Sequence, residues 1–356
     1  MKTPAVSSHP HRGIVSALAA AVLFGASIPL AKGLLGLVSA VVLAGLLYLG
    51  AGMGLALVWS WRRARRAETG TIARGDWPWL AGAVACGGVF GPLLLLYGLA
   101  RMPAASASLL LNLENVFTAL MAWFVFHEHR NRRIVGGMAL IVFAGGLLAA
   151  QGPVGLASVA GPLAIVAACL CWAADNNLTR QVASGDPVLI AAVKGLAAGG
   201  VNVLAAVWLG EHVPSRAVAA AAGLVGFIGY GASLALFVRA LRDIGTVRAS
   251  GYFAVAPFAG ALLALVWRPE NEGVSFWAAA GLMASGVWLY LTERHVHSHH
   301  HPGLTHSHEH GHDAHHLHGH DFPWDGWTPH VHRHTHEPLT HSHAHYPDIH
   351  HRHGHE

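Results

Sequence analysis

Between Gly13 and Thr292 the chain is a succession of apolar segments separated by short polar joints. Such segments recur at the length of roughly 20 residues that a helix needs to cross a bilayer core about 30 Å thick. Only 11% of the residues are charged and 53% are hydrophobic. A typical soluble domain carries about 25% charged residues, so this chain lacks the polar surface a water-soluble fold of that size requires. The composition implies an integral membrane protein. The basic pI does not point to nucleic acid, because the arginines sit in short clusters between apolar segments, where they set topology. Cys86, Cys169 and Cys171 all fall inside apolar segments and are expected to be buried small residues without a disulfide.

Ten spans are expected, near residues 13–35, 37–61, 77–100, 103–126, 132–150, 160–181, 187–209, 217–240, 245–267 and 273–292. The first could pass for a secretory signal, but its apolar run continues through Pro29 to Leu35 and is read as a retained helix. Trp59, Trp61, Trp77, Trp79, Trp123, Trp208 and Trp267 mark span ends, where amphipathic rings suit the headgroup level. Alternate joints hold fourteen Lys and Arg against four on the other side (Lys32, Arg101, Arg216 and Arg268). The positive-inside rule makes the first set cytosolic, with both termini inside. The expected location is the cell (inner) membrane.

The halves resemble each other. Ala19–Lys32 aligns without gaps with Ala167–Arg180, pairing Phe24 with Trp172, and residues 99–126 align with 240–267, pairing Phe117 with Phe258. An odd number of helices per copy inverts the second copy, and inverted repeats bind their cargo near the midplane between halves. The organisation expected is a cytosolic stretch 1–12, a five-helix repeat 13–150, a linker 151–159, a second five-helix repeat 160–292 and a His-rich tail 293–356. The fold class is all-α membrane, followed by a disordered tail. Gly50/Gly54, Gly87/Gly91 and Gly195/Gly199 have the spacing of close helix packing.

Residues 104–128 (AASASLLLNLENVFTALMAWFVFHE), Trp172 with Thr179–Arg180, and residues 256–260 (APFAG) resemble the drug/metabolite transporter superfamily, specifically its EamA-type members. The resemblance covers about residues 13–292 and implies a ten-helix secondary transporter for small organic metabolites, often an exporter. Family members carry a proline before the Phe of the fourth span. Here that position is Val116, while Pro257 keeps it in the ninth, so the first-half hinge lacks its usual residue.

Three ionisable residues fall inside expected spans, where charge is expensive and is either paired or functional. Glu114 lies midway along the fourth span between Asn112 and Asn115. Asp175 lies in the sixth, followed by Asn176 and Asn177, and Lys194 lies in the seventh. These seven form the expected substrate and proton pathway. One or both carboxylates exchange a proton during turnover in this reading, and Lys194 serves as counter-charge or binds an anionic substrate. The alternative is a fixed Lys194–carboxylate pair locking two helices, with the asparagines only bridging helices. His127 and His129 flank Glu128, but residues two apart on a helix diverge by about 200°, so they read as an interfacial cap.

From residue 295 onward lie 24 of the 29 histidines and no cysteine. The His-x-His pattern places alternate imidazoles on one side of an extended chain. Residues 304–310 (LTHSHEH) recur as 339–345 (LTHSHAH). The expected ligands are His306, His308, His310, His312, His315, His316, His318, His320, His341, His343 and His345, and imidazole without thiolate suits Zn, Ni or Co. No cofactor is required for transport.

Three functions remain open. The first is a proton-coupled metabolite exporter with a metal-binding cytosolic tail. The second is a carrier of Ni, Co or Zn itself, and the third is a membrane metal store or sensor that does not transport. Expected partners are the lipid bilayer, a small-molecule or ion substrate and divalent metal, without nucleic acid, and a homodimer stays open. No nucleophile–base set or phosphate loop suggests an enzyme.

Overall fold

The computed structural model describes residues 10–65, 72, 74–126, 132–150, 156–182, 186–244, 249, 252–267, 272–292 and four tail strands. The first repeat consists of α1 (Pro10–Leu34), α2 (Ala40–Ala64), α3 (Arg74–Leu99), α4 (Ala104–Leu110), α5 (Leu113–Phe126) and α6 (Arg132–Ala149). The second consists of α7 (Leu156–Gln181), α8 (Pro187–Trp208), α9 (Arg216–Gly226 continuing through Ser233–Ile244), α10 (Ala256–Trp267) and α11 (Val274–Leu291). Eight of the described helical stretches, with α4 and α5 counted as one, are long and apolar enough to cross a bilayer, and α10 and α11 contribute two shorter apolar ones.

Local chemistry sets where several helices begin. Ser39 caps α2 and Ser215 caps α9, each side chain accepting from the amide three residues on. Asp186 caps α8 by accepting from Val188 N at 2.9 Å and Leu189 N at 3.4 Å, with Pro187 following at the first helical position. Arg62, at the end of α2, reaches this same Asp186 at 3.7 Å and so ties the two repeats together.

Each repeat departs from the regular helix at equivalent places. The third helix of each carries a π-helical segment, Val84–Phe90 in α3 and Phe227–Ala232 in α9. The fourth helix of each is interrupted, at Leu111–Asn112 in the first repeat and at Ala254–Val255 in the second. The span expected over 103–126 is present as one apolar stretch from Ala104, broken locally at Leu111–Asn112, and the break forms without a proline. Leu111, Asn112, Glu114 and Asn115 donate their amides three residues back, to Ser108 O, Leu109 O, Leu111 O and Asn112 O. The Asn112 amide group donates to Leu109 O at 2.9 Å and holds the break in place.

The repeats pack reciprocally. α1 lies against α9 and α10, α7 lies against α3 and α5, α2 pairs with α8, and α6 pairs with α11. Small residues make this possible, because apolar burial drives little association between helices already in lipid. A Cβ at Gly52 would overlap the backbone of Gly195 and Leu196, and one at Gly50 would overlap Gly223. Gly54 faces the Phe227 ring, Gly199 faces Leu49, and Gly286 faces Gly137. All three expected glycine pairs therefore lie at close contacts. Ile28, Leu43, Leu47, Leu95, Leu99 and Ile141 are fully buried along this seam. Leu204, Trp208, Trp267, Trp277 and Trp288 point outward, as lipid contact requires.

The tail strands form a unit separate from the helical body. β1 (His295–His301) pairs antiparallel with β4 (Leu339–His345), and β2 (Leu304–His310) with β3 (His330–His336). The sequence expectation was a tail without regular structure. These strands follow from the period-two alternation of His with Thr, Ser and Val, but two-stranded ribbons are marginal in water.

Candidate functional site

The polar centre begins with a proline. Pro92 has no N–H, so the carbonyls four and five residues before it, Gly88 and Gly87, receive nothing from it. The preceding amide, Gly91 N, bonds to Cys86 O in the π pattern. Side chains take up both released carbonyls. Gly87 O accepts the Tyr48 hydroxyl at 2.7 Å and the Trp172 indole N–H at 3.0 Å. Gly88 O accepts Asn202 Nδ2 at 3.0 Å. The donors come from α2, α7 and α8, so the irregular backbone of α3 becomes a junction of both repeats.

One turn beyond Trp172 on α7, Asp175 occupies the space a side chain at Gly87 would fill. Its Oδ1 accepts from Lys194 Nζ at 2.5 Å and from Thr179 Oγ1 at 2.9 Å, and Lys194 also donates to Thr179 Oγ1 at 3.0 Å. The two charged side chains are 13% and 18% exposed, so the ion pair is largely shielded. It links α7 to α8 within the second repeat.

The next residue on α7 turns to the other carboxylate. Asn176 Nδ2 donates to Glu114 Oε1 at 2.8 Å and reaches Thr118 Oγ1 at 3.4 Å. Glu114 sits in the first turn of α5, immediately after the interrupted segment. Leu110 O, freed by the same interruption, accepts the Cys169 thiol at 3.7 Å. One face of α7 thus touches both irregularities of the first repeat.

The expected pathway residues divide into two groups. Glu114, Asp175, Lys194 and Asn176 come together. Asn112 is fully buried and bonded to its own helix. Asn177 donates to Ala173 O at 2.8 Å, also within its own helix, and so only satisfies backbone. Asn115 is half-buried on α5. Tyr48, Trp172, Asn202, Thr118 and Thr179 join the centre without having been expected there. The sequence sign was the run Gly87-Gly88-Val89-Phe90-Gly91-Pro92, which puts a proline behind two glycines inside a span.

His127, Glu128 and His129 lie outside the described residues, as do His312, His315, His316, His318 and His320. The remaining expected tail ligands lie in strands. His306, His308 and His310 stand opposite His334, His332 and His330, and His341, His343 and His345 opposite His299, His297 and His295. Among the described residues, no three His, Cys, Asp or Glu side chains cluster as metal ligands.

The EamA-like transporter family matches the chain twice, over residues 11–149 and 159–292. A relative from Methanothermobacter thermautotrophicus, described as an uncharacterized transporter, is 26% identical over 293 residues, spanning 78% of this chain and 85% of its own. A crystal structure titled only as that of a protein superposes with a TM-score of 0.57 at 21% identity, covering 78% of this chain and 95% of that one. At that identity the likeness speaks for the fold alone. The two family matches take in both five-helix halves, and the chain belongs to the EamA-like transporter family of membrane transporters.

Proposed function

We propose that this protein is a proton-coupled exporter of a small metabolite in the cell membrane, with both termini cytosolic and a tail that binds divalent transition metal. One observation carries the coupling role. Glu114 is held by a neutral amide, whereas Asp175 is held by an ammonium. Protonating Asp175 would strand the Lys194 charge in a shielded place, which is costly. Protonating Glu114 strands no charge. Glu114 is the residue able to load and release a proton, and the Asp175–Lys194 pair braces α7 against α8. Its place after a helix interruption, bonded across the repeats, suits a site that both halves reshape as they rock.

A carrier of the metal itself remains the second reading, favoured by the histidines at the cytosolic face. Against it, the described spans gather no set of three metal donors. The test uses the full chain in proteoliposomes loaded with a pH-sensitive dye and exposed to a panel of metabolites and to Ni or Zn. A metabolite that collapses the pH gradient in the native protein, and not in Glu114→Gln, is the expected result. Glu114-dependent flux of Ni or Zn alone would instead establish the metal carrier.

A further inference from the structure

The duplicated segments of the tail do not pair with each other. Residues 304–310, as β2, pair with β3, and residues 339–345, as β4, pair with β1. Each copy thus has a partner of its own from another part of the tail. Successive residues of a strand alternate between the two faces of a ribbon, and residues opposite each other share a face. In the ribbon of β1 and β4, the facing pairs His295–His345, His297–His343 and His299–His341 fall on one face. The other face takes Val296 with Ala344, Ser298 with Ser342, and His300 with Thr340. The ribbon of β2 and β3 repeats the arrangement. His306–His334, His308–His332 and His310–His330 share a face, and the pairs between them, Ser307–Arg333 and Glu309–Val331, contain no histidine. A slip of one residue in either ribbon would undo the facing of histidine with histidine.

We infer that each ribbon is a separate site for one divalent ion of the zinc and nickel class, shared between its two strands. Zinc takes four ligands, and two successive facing pairs supply four histidines in a block only one step of the pleat long. Along a single strand the histidines of one face recur about every 7 Å, so four of them extend over about 20 Å. His297 and His343 belong to both such blocks of their ribbon, and His308 and His332 to both of theirs. Two-stranded ribbons are marginal in water. An ion held by both strands cross-links them, so its binding free energy becomes pairing free energy. The inference rests on the metal-binding reading of the tail and gives that tail two sites built across strands.

The test counts zinc bound per chain by equilibrium dialysis of the full chain in detergent at about pH 7.5. His297→Ala and His343→Ala should each remove one zinc, and the double variant no more than either alone. His297→Ala with His332→Ala, one from each ribbon, should remove two. His300→Ala changes a histidine of the opposite face and should remove none. A chain stopped after Pro338 lacks β4 and should lose the same single zinc, although β1 keeps all of its histidines. If His300→Ala costs as much as His297→Ala, or if losses from His297→Ala and His343→Ala add, each strand binds by itself and the inference is overturned. Full zinc binding by the chain stopped after Pro338 overturns it equally. In those cases the metal-binding reading stands, because the native tail still holds zinc. A native chain that binds no zinc sinks that reading and the two sites with it.

Discussion

Asn176 of the second repeat donates a 2.8 Å hydrogen bond to Glu114 of the first. The carboxylate therefore belongs to neither half alone, and any rocking of one repeat against the other alters its partner. Glu114→Gln keeps the size of the side chain and a carbonyl oxygen for the Asn176 amide. The variant should fold with a melting temperature within a few degrees of native, since the swap keeps the acceptor for Asn176 and strands no charge. Flux driven by a pH gradient should nevertheless fall at least about a hundredfold, within the range by which proton-transfer groups contribute. Dye-loaded proteoliposomes measure the flux, and retained coupling would remove Glu114 from the mechanism.

Asp175 and Lys194 should behave as a pair. Removing one partner of a shielded ion pair leaves the other charge uncompensated, at about 3–5 kcal/mol when fully buried. The partial exposure here reduces that to about 2 kcal/mol. Asp175→Asn should lower the melting temperature in detergent, and the double change Asp175→Asn with Lys194→Met should recover most of the loss. A double variant no better than the single one would mean that Lys194 does more than answer Asp175.

Charge made Glu114, Asp175 and Lys194 conspicuous in the sequence, because each interrupts an apolar run. Their different pairing was not legible, since it depends on which face of α7 meets α5 and which meets α8. The π segment was harder to see. Every residue has a carbonyl, and only the absence of one N–H at Pro92 singles out Gly87 and Gly88. Tyr48 and Asn202 look like ordinary members of apolar helices until those carbonyls are in place. The interruption before Glu114 was obscured for another reason. Proline was the expected sign of a hinge, and Val116 stands in its position, whereas Asn112 makes the break with its own side chain.

Glycine substitutions should separate contact from propensity. Gly52→Ala places a methyl into the backbone of Gly195, and Gly87→Ala places one into Asp175. Gly195 offers only backbone, and the Asp175 carboxylate is held by Lys194 and Thr179, so each should cost about 1–3 kcal/mol, as overpacking does. Gly200 and Gly146 face open space. Alanine there should be neutral or stabilising by up to about 1 kcal/mol, because it relieves the entropy cost of glycine in a helix. Thermal unfolding of the four variants in one detergent makes the comparison. A Gly52→Ala protein as stable as the native one would mean that α2 and α8 are not in contact through these residues.

Metal binding by the tail should follow the protonation of its imidazoles. A metal needs the neutral ring, and the unperturbed pKa is about 6.5. Binding is therefore present above that value and lost as the pH falls through it, because protons and metal compete for the same nitrogen. In the register of the ribbons, His297 stands opposite His343 and His308 opposite His332. The full chain should bind Ni or Zn near pH 7.5 and release it by about pH 5.5, while a chain stopped after Arg294 should bind neither at micromolar concentration. Isothermal titration at the two pH values decides this. Binding that survives the truncation would place the metal in the helical body and revive the metal-carrier reading. Binding lost with the tail, alongside unaltered metabolite flux, would make the histidines a reservoir or sensor outside the transport path.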